Sequence, residues 1–458
     1  MATTLLRFAS RALRPKPEFR RFSAAVSVPD VRRNNQTELK NGLRVATEDT
    51  GGATVGVNVT IDVGSRHETE DTSGTTALWL HSMLDKANAQ RLASIGAQLT
   101  GQVGRDKTWL SVHCLSADLK AAVEVLGQLV TNTDFGLIDQ SRQRLLQRMR
   151  DEDGDGEVVA MNSLYSMAFQ NTGLSLPAVG RSHVVDTLTR DHLLNHVSAH
   201  VKGPRVVVSA VGDVDHNECV RAVEQHFGSV TATYDRTQVP IHPRSRYTGS
   251  DIRIRDDAMP LAHIAIAVEG SPITATNDRI ALELSAALLG QWDRSFGGGT
   301  DVSSYLALCS SADHLTHSFR AFSHSFADTG LFGCYLVVER MKQEDVIWHL
   351  LYEWKRFCQE ITENELIRAK NTILTQNARQ EQHPVVCARN VGSQVLAFGR
   401  RVPFGEWRDH VLAVDARKVR DVLTEHVWDR CPVVAGFGPI EQLEDYEVLR
   451  GKFYWFRY

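Results

Sequence analysis

The fold is decided by Val55-Gly56-Val57-Asn58-Val59-Thr60-Ile61-Asp62-Val63-Gly64-Ser65, in which apolar and polar or small residues alternate. A related stretch recurs later in the chain as His263-Ile264-Ala265-Ile266-Ala267-Val268-Glu269-Gly270-Ser271, and both copies end in Gly-Ser. Alternation of this kind is typical of a strand with one buried face. The repeat therefore predicts two related halves, each built around such a strand.

The flanking segments repeat in the same order. In the first half a strand-like segment is followed by an amphipathic helix with apolar residues at 119, 123, 126 and 130, and a further apolar strand comes later. The paired segments are 109–115 with 332–338, 119–130 with 346–357, and 204–212 with 432–438. Each half is thus predicted to be a mixed sheet covered by helices on one face, which is an α+β fold.

The boundary between the halves is predicted at 238–250, where prolines, glycine and serines interrupt the periodicity. We therefore assign 31–237 to an N-terminal domain and 251–458 to a C-terminal domain. The chain has 458 residues and 42% hydrophobic content, which is enough for about two to four domains.

The segment Gly74-Thr75-Thr76-Ala77-Leu78-Trp79-Leu80-His81 reads as a degenerate zinc-binding helix. A His-x-x-Glu-His helix holds zinc with two imidazoles and carries a glutamate as general base. Here the three chemical positions are Ala77, Leu80 and His81. Alanine cannot ligate a metal and leucine cannot accept a proton, so only one of the three functional groups is present.

An ordered series of motifs from about residue 37 to residue 458 resembles the M16 metallopeptidase family, and within it the beta type. The motifs lie at 38–48, 168–172, 292–299, 327–331, 438–443 and 453–457. The resemblance implies two homologous domains that face each other across a cavity.

The resemblance also implies a third zinc ligand, a glutamate, on a later helix. The family pattern places Arg148 at that position. The spacing from His81 is roughly ten residues shorter than the family pattern, and the shortfall lies in the loop 84–90. A guanidinium at a ligand position repels Zn²⁺. Ala77, Leu80 and Arg148 together predict that the chain has no peptidase activity.

The first 22 residues are typical of a mitochondrial presequence, because they are rich in arginine, poor in acidic residues and amphipathic as a helix. The pattern Arg20-Arg21-Phe22-Ser23 predicts cleavage between Phe22 and Ser23 and delivery to the mitochondrial matrix. The alternative is a basic, disordered tail of a cytosolic protein.

The overall composition excludes several other classes. A net charge of −4 gives no basic surface for nucleic acid. No apolar run approaches the roughly 18 residues of a membrane span, so membrane association is predicted to depend on partners. The seven cysteines are scattered, which indicates a reducing compartment. No cofactor or metal ion is predicted for the chain.

Two further patterns leave an alternative open. The segment 151–157 opens like a calcium loop, but Asn162 replaces the glutamate of position 12, so an acidic turn between helices is the simpler interpretation. His192, His196 and His200 share one helical face. They are either an incidental row of surface histidines, or two of them bind a metal ion together with a carboxylate. Gly297-Gly298-Gly299 predicts a sharp turn and lacks the end of a phosphate-binding loop.

A whole fold without its catalytic groups indicates that shape and interfaces carry the function. The resemblance then implies a structural subunit of mitochondrial respiratory complex III (ubiquinol–cytochrome c reductase), on the matrix side of the inner membrane. Its implied partners are an alpha-type core protein 2, cytochrome b, cytochrome c1, the Rieske protein and the small subunits. The alternative is a non-catalytic subunit of the mitochondrial processing peptidase that binds presequences.

Overall fold

The computed structural model describes residues 33–84, 91–131, 135–233, 244–296, 302 and 304–454. Within these ranges twelve strands form two six-stranded sheets. No helix in the described ranges is both long and apolar enough to cross a membrane. The predicted presequence, with Phe22 and Ser23, lies outside the described residues.

The N-terminal sheet contains strands β1 to β6. They are β1 Arg33–Glu38, β2 Arg44–Asp49, β3 Thr54–Ile61, β4 Gln98–Val103, β5 Thr108–Leu115 and β6 Val206–Gly212. Their order across the sheet is β1-β2-β6-β3-β5-β4. Strands β2 and β6 are parallel and the other neighbouring pairs are antiparallel, so the sheet is mixed as predicted.

The C-terminal sheet contains strands β7 to β12. They are β7 Asp251–Arg255, β8 Leu261–Gly270, β9 Gln291–Asp293, β10 Thr316–Ser325, β11 Gly330–Glu339 and β12 Val433–Gly438. Their order is β7-β12-β8-β11-β10-β9, and β7 and β12 are the parallel pair.

The two sheets confirm the internal repeat. Without the edge strands β1 and β9, the orders β2-β6-β3-β5-β4 and β7-β12-β8-β11-β10 correspond strand for strand. The segments paired in the sequence are β3 with β8, β5 with β11, and β6 with β12. Strand β3 ends at Ile61, before the predicted end, because Ser65 and Arg66 bond instead to the backbone carbonyls of Gly104 and Arg105.

Most helices of each half pack on one face of the sheet of that half. The N-terminal half contributes α1 Thr75–Met83, α2 Leu119–Thr131, α3 Ile138–Asp153, α4 Gly156–Ala168, α5 Ser182–Val185, α6 Arg190–His200 and α7 His216–Phe227. The C-terminal half contributes α8 Thr276–Leu289, α9 Tyr305–Ala312, α10 Gln343–Gln359, α11 Glu363–Glu381, α12 Pro384–Phe398, α13 Phe404–Ala413, α14 Ala416–Val427 and α15 Tyr446–Lys452.

The second face of the N-terminal sheet is covered by α12, a helix of the C-terminal half. Val391 and Val395 of α12 are buried against Ala46, Val207 and Val211 of the sheet. Strand β6 is accordingly buried along its whole length. The sequence predicted helices on one face only; here both faces are covered.

The second face of the C-terminal sheet is covered in the same way by α4, a helix of the N-terminal half. Ala160 and Leu164 of α4 are fully buried together with Ala265, Val433 and Ala435 of the sheet. Each half therefore completes the core of the other, and we call α4 and α12 the exchanged helices.

Hydrogen bonds position α12 on polar side chains within the strands. The hydroxyl of Ser209 donates to the carbonyl of Ala388 at 2.7 Å, and Arg389 Nε donates to Ser111 Oγ at 2.9 Å. Ser111 in turn donates to Asn58 Oδ1 at 2.9 Å. Buried polar groups need such partners, so these bonds favour one placement of the helix over others.

Close contact of α12 with the sheet requires a glycine at position 392. A Cβ placed on Gly392 would lie 2.4 Å from Thr60 Oγ1 and 3.0 Å from Ser209 Oγ. Gly156, at the start of α4, has the same relation to the ring of His263, which its Cβ would approach to 2.6 Å.

We expect Gly392→Ala to destabilise the mature chain by about 1–3 kcal/mol, because the added methyl overpacks the contact between α12 and the sheet. The midpoint of urea unfolding measures the effect. The matched control is Gly451→Ala in α15, where a Cβ meets nothing within 4 Å. The control should be neutral or slightly stabilising, and equal midpoints for the two variants would contradict the expected overpacking.

Candidate functional site

The positions that the sequence assigned to zinc chemistry lie on two neighbouring helices. Ala77, Leu80 and His81 are on α1, and Arg148 is on α3, which packs against α1. The structure thus brings the two segments together, as the family pattern requires. That these four residues are counterparts of zinc-site residues stays a prediction.

Two of these positions belong to the hydrophobic core. Ala77 is 2% exposed and Leu80 is 1% exposed. A Cβ on Gly101 of β4 would lie 2.9 Å from Leu80 Cδ1, so Leu80 fills the space between α1 and the sheet edge. Most of α1 is buried, as is typical of a helix that is apolar all round. The helix therefore acts as a packing element at these positions.

His81 is half-buried and neutral over the physiological pH range. Burial, followed by the positive charges of Arg148 and Arg144, lowers the pKa of His81 to about 4. Arg148 Nε also donates to Glu152 Oε1 at 2.9 Å. The remaining imidazole thus lies in a positive field that disfavours a divalent cation.

The N-terminus of α1 is held by a residue that sequence reasoning missed. Both carboxylate oxygens of Glu68 accept backbone hydrogen bonds, one from Gly74 and one from Thr76, at 2.7 Å each. Burial raises the pKa of Glu68 to about 7, although these bonds oppose the shift. Glu68 lies several residues before the helix, so no local capping pattern marks it.

A second missed feature is a histidine cluster beside α1. His196 Nε2 lies 3.0 Å from Thr76 Oγ1, and the rings of His196 and His200 are 4.7 Å apart. Guanidinium nitrogens of Arg205 lie 2.7 Å from His67 Nε2 and 3.1 Å from His200 Nδ1. Burial, with Arg205 as the second cause, lowers the pKa of His196 to about 4. The cluster therefore places three imidazoles around one guanidinium.

The prediction of a row of surface histidines is wrong for His196 and His200. His200 is 7% exposed, because the buried face of α6 also includes Leu193 and Val197. Only His192 stays exposed, where its Nδ1 accepts from the backbone N–H of Thr189 at 3.1 Å.

In the described part of the chain, one group of three side chains has metal-ligand spacing, namely Glu48, Glu381 and Cys387. The guanidinium of Arg401 lies between the two carboxylates, with Nε 3.1 Å from Glu48 and Nη2 2.6 Å from Glu381. Burial raises the pKa of the Cys387 thiol, so the sulfur is a weak ligand. Glu48, Arg401 and Glu381 are best described as a buried ionic triad. The triad joins β2 of the N-terminal half to the C-terminal half.

The acidic segment 151–157 spans the end of α3, the turn at 154–155 and the start of α4, as the simpler interpretation predicted. Asp155 is the N-cap of α4, and its side chain accepts from the backbone N–H of Glu157 at 2.9 Å. The triple glycine 297–299 and most of the loop 84–90 lie outside the described residues.

A cavity of about 690 Å³ lies between α8, α11 and β10 on one side and α12, which packs on the N-terminal sheet, on the other. Its charged lining consists of Arg279, Glu283, Arg368, Glu381 and Arg401. Its carboxamides are Gln291, Gln376, Asn377, Gln380, Asn390 and Gln394. Paired charges and amides can hold a polar ligand, and none of these groups forms a nucleophile–base pair.

Comparison with known protein families gives two adjacent matches. The family described as "Insulinase (Peptidase family M16)" matches residues 44–181. The family described as "Peptidase M16 inactive domain" matches residues 187–373. Together they cover more than half of the chain. The domain boundary predicted at 238–250 stays a prediction.

Individual relatives carry two different names. The human protein "Cytochrome b-c1 complex subunit 1, mitochondrial" is 39% identical over 92% of this chain and 89% of its own length. The bovine protein "Mitochondrial-processing peptidase subunit beta" is 37% identical over 94% of this chain and 90% of its own length. Among solved structures, a chain of "Complex III2 from Candida albicans, Inz-5 bound" has a TM-score of 0.85 and 26% identity, covering 92% of this chain and 99% of that chain.

We expect Arg148→Gln to raise the pKa of His81 part of the way from about 4 toward 6.5, because one repelling charge is lost while burial remains. Histidine-labelled NMR titration, with His81→Gln to identify the signal, measures the change. Arg150→Gln on the same helix is the matched control and should leave the signal unchanged. An unshifted His81 in Arg148→Gln would contradict the electrostatic account.

The same shift predicts how His81 affects stability. The pKa of His81 in the folded chain lies below its pKa in the unfolded chain. The contribution of the neutral imidazole to the free energy of unfolding is therefore present above about pH 6.5 and is lost as the pH falls toward 4.

Proposed function

The chain belongs to the M16 peptidase family, and on that premise we propose that it is a non-catalytic, beta-type core subunit of mitochondrial respiratory complex III. The subunit supports assembly and stability of the complex from the matrix side of the inner membrane. The proposal joins three kinds of support: the names of the relatives, the extent of the structural match, and the chemistry of the degenerate site.

The similarity extends over nearly the whole length of both partners in each comparison. The human subunit 1 and the complex III chain from Candida albicans each match 92% of this chain. Coverage of this extent favours a shared role for the whole subunit over reuse of one domain.

The single observation that carries the non-catalytic assignment is the set Ala77, Leu80 and Arg148. The first two positions supply no ligand or base and lie in the core, and the third supplies a positive charge. A catalytic zinc normally requires three protein ligands and an open coordination position. His81 alone, with its lowered pKa beside two arginines, does not meet that requirement.

The proposed role implies specific neighbours. They are an alpha-type core protein 2, cytochrome b, cytochrome c1, the Rieske protein and the small subunits of the complex. The haems and the iron–sulfur cluster belong to those neighbours, and this chain binds no redox cofactor of its own. Delivery to the matrix side depends on the basic segment 1–22, with cleavage between Phe22 and Ser23.

The second candidate is a non-catalytic, presequence-binding subunit of the mitochondrial processing peptidase. It is favoured by the 37% identity to the bovine subunit beta. The chain is also acidic once its first 22 residues are set aside, and an acidic surface attracts basic presequences. The same degenerate site weighs against it, because the family resemblance assigns zinc to the beta-type subunit.

Native gel separation of gently solubilised mitochondrial membranes distinguishes the two candidates. We expect the chain, identified by mass spectrometry, to migrate with cytochrome b and cytochrome c1 in a large haem-staining band. Migration with an alpha-type partner in a small soluble fraction would contradict the complex III role and favour presequence handling.

We further expect that the triple variant Ala77→His, Leu80→Glu and Arg148→Glu gains neither stoichiometric zinc nor presequence cleavage. The variant places a carboxylate and an imidazole at core positions that are 1% and 2% exposed, which is costly. Zinc content, thermal unfolding and cleavage in the presence of an alpha-type subunit measure the outcome.

The matched control is Arg148→Glu alone. The Arg148 side chain is 41% exposed, so this variant should fold as the unmodified chain does. An active processing peptidase serves as the positive control for cleavage. Cleavage of a presequence by the triple variant would contradict this expectation, since it would mean that the rest of the fold still accommodates a working site.

A further inference from the structure

Four exposed apolar side chains form one patch on the outer helices of the C-terminal half. Tyr305 and Leu308 of α9 are 36% and 38% exposed, and Trp348 and Tyr352 of α10 are 49% and 44% exposed. We call these four residues the aromatic patch. Tryptophan and tyrosine are the side chains most enriched where binding energy is concentrated in protein interfaces.

Ring contacts fix the shape of the aromatic patch. The rings of Trp348 and Tyr352 stack with centroids 5.6 Å apart and planes at 12°, and Tyr305 lies 5.5 Å from Tyr352. His349 contacts both Tyr305 and Trp348, at 5.6 Å and 4.9 Å. Side chains held by each other lose little freedom on binding, so the surface is preorganised.

The charges beside the aromatic patch are acidic. Asp313 and Asp345 both act on the ring of His349, which lies in the patch. Neither aspartate forms an ion pair with another described residue. The nearby cation Lys342 is already paired, with Nζ 3.0 Å from Glu339 and 2.7 Å from the carbonyl of His314. The patch therefore has acceptors for positive charge beside it, and Lys342 does not neutralise them.

The size of the aromatic patch limits what can cover it. Its four side chains together expose on the order of 300 Å². A stable protein–protein interface buries about 800 Å² on each partner, so the patch alone is too small to hold a second copy of this chain. The size suits a short segment that inserts an aliphatic or cationic side chain between aromatic faces.

We propose that the aromatic patch is the docking site for a short basic segment of another subunit of the complex. Lysine or arginine of the segment lies over the faces of Trp348 and Tyr352, where cation–π attraction favours it, and its charge is balanced by Asp313 and Asp345. Aliphatic side chains of the segment cover Leu308. The identity of the host complex rests on the proposed function, whereas the chemistry of the patch does not.

Peptide titration of the isolated mature chain tests the chemistry. The probes are a short lysine–leucine peptide and its glutamate–leucine counterpart, at low ionic strength. We expect only the basic peptide to bind, with affinity reduced about tenfold by Trp348→Ala and by the double variant Asp313→Asn, Asp345→Asn. The matched controls are Leu412→Ala, which removes an exposed apolar side chain elsewhere, and Asp151→Asn with Asp153→Asn, which removes two exposed charges elsewhere. Equal binding by patch and control variants would overturn the proposal.

Photocrosslinking in the assembled complex tests the partner. With p-benzoylphenylalanine in place of Tyr352, we expect a crosslink to a segment rich in lysine or arginine in a neighbouring subunit. A purified complex that gives no crosslink at this position, or a crosslink to an acidic segment or to a second copy of the chain, would overturn the proposal. Absence of the chain from the complex would instead contradict the proposed function, and the peptide titration would still decide the patch.

Discussion

The burial of both faces of each sheet by the exchanged helices is the constraint on which the rest of the structure depends. Without α12, Val207 and Val211 of β6 would face water, and without α4 the same would hold for Val433 and Ala435 of β12. Burial of apolar area is the main favourable term in folding, so neither half has a complete core alone. The ionic triad around Arg401 reinforces this dependence, because separating the halves would leave the buried carboxylate of Glu48 without its guanidinium.

The amino-acid sequence was sufficient for the local elements and for their duplication. Alternation in β3 and β8, and the apolar spacing of α2, follow from the period of each element and need no knowledge of distant residues. The exchange of α4 and α12 could not be read in this way, because it depends on pairs far apart in sequence, such as Ser209 with Ala388. One signal was present: β6 reads as almost continuously apolar, which is typical of a strand buried on both faces.

At the candidate site, too, local features could be predicted from the sequence, whereas features that depend on distant residues could not. The proposed loss of ligand chemistry at Ala77, Leu80 and Arg148 could be read from the sequence, because it depends on the functional group that each residue type carries. The cap supplied by Glu68 and the cluster of His196, His200 and Arg205 depend on tertiary neighbours of α1. The inward direction of His196 was missed because helical spacing shows which residues share a face but not what that face packs against.

The side chains at the predicted zinc-site positions also bear on stability. Ligand carboxylates and imidazoles that lack their metal are partly buried polar groups without partners, and such groups destabilise a fold. Leu80 instead packs on Gly101 of β4, and Arg148 pairs with Glu152 at the surface. In a chain whose proposed role is to present fixed surfaces to other subunits, a filled site is an advantage. The duplication and the exchanged helices preserve that shape, so under the proposed function the residues at the predicted zinc-site positions serve the packing of the fold.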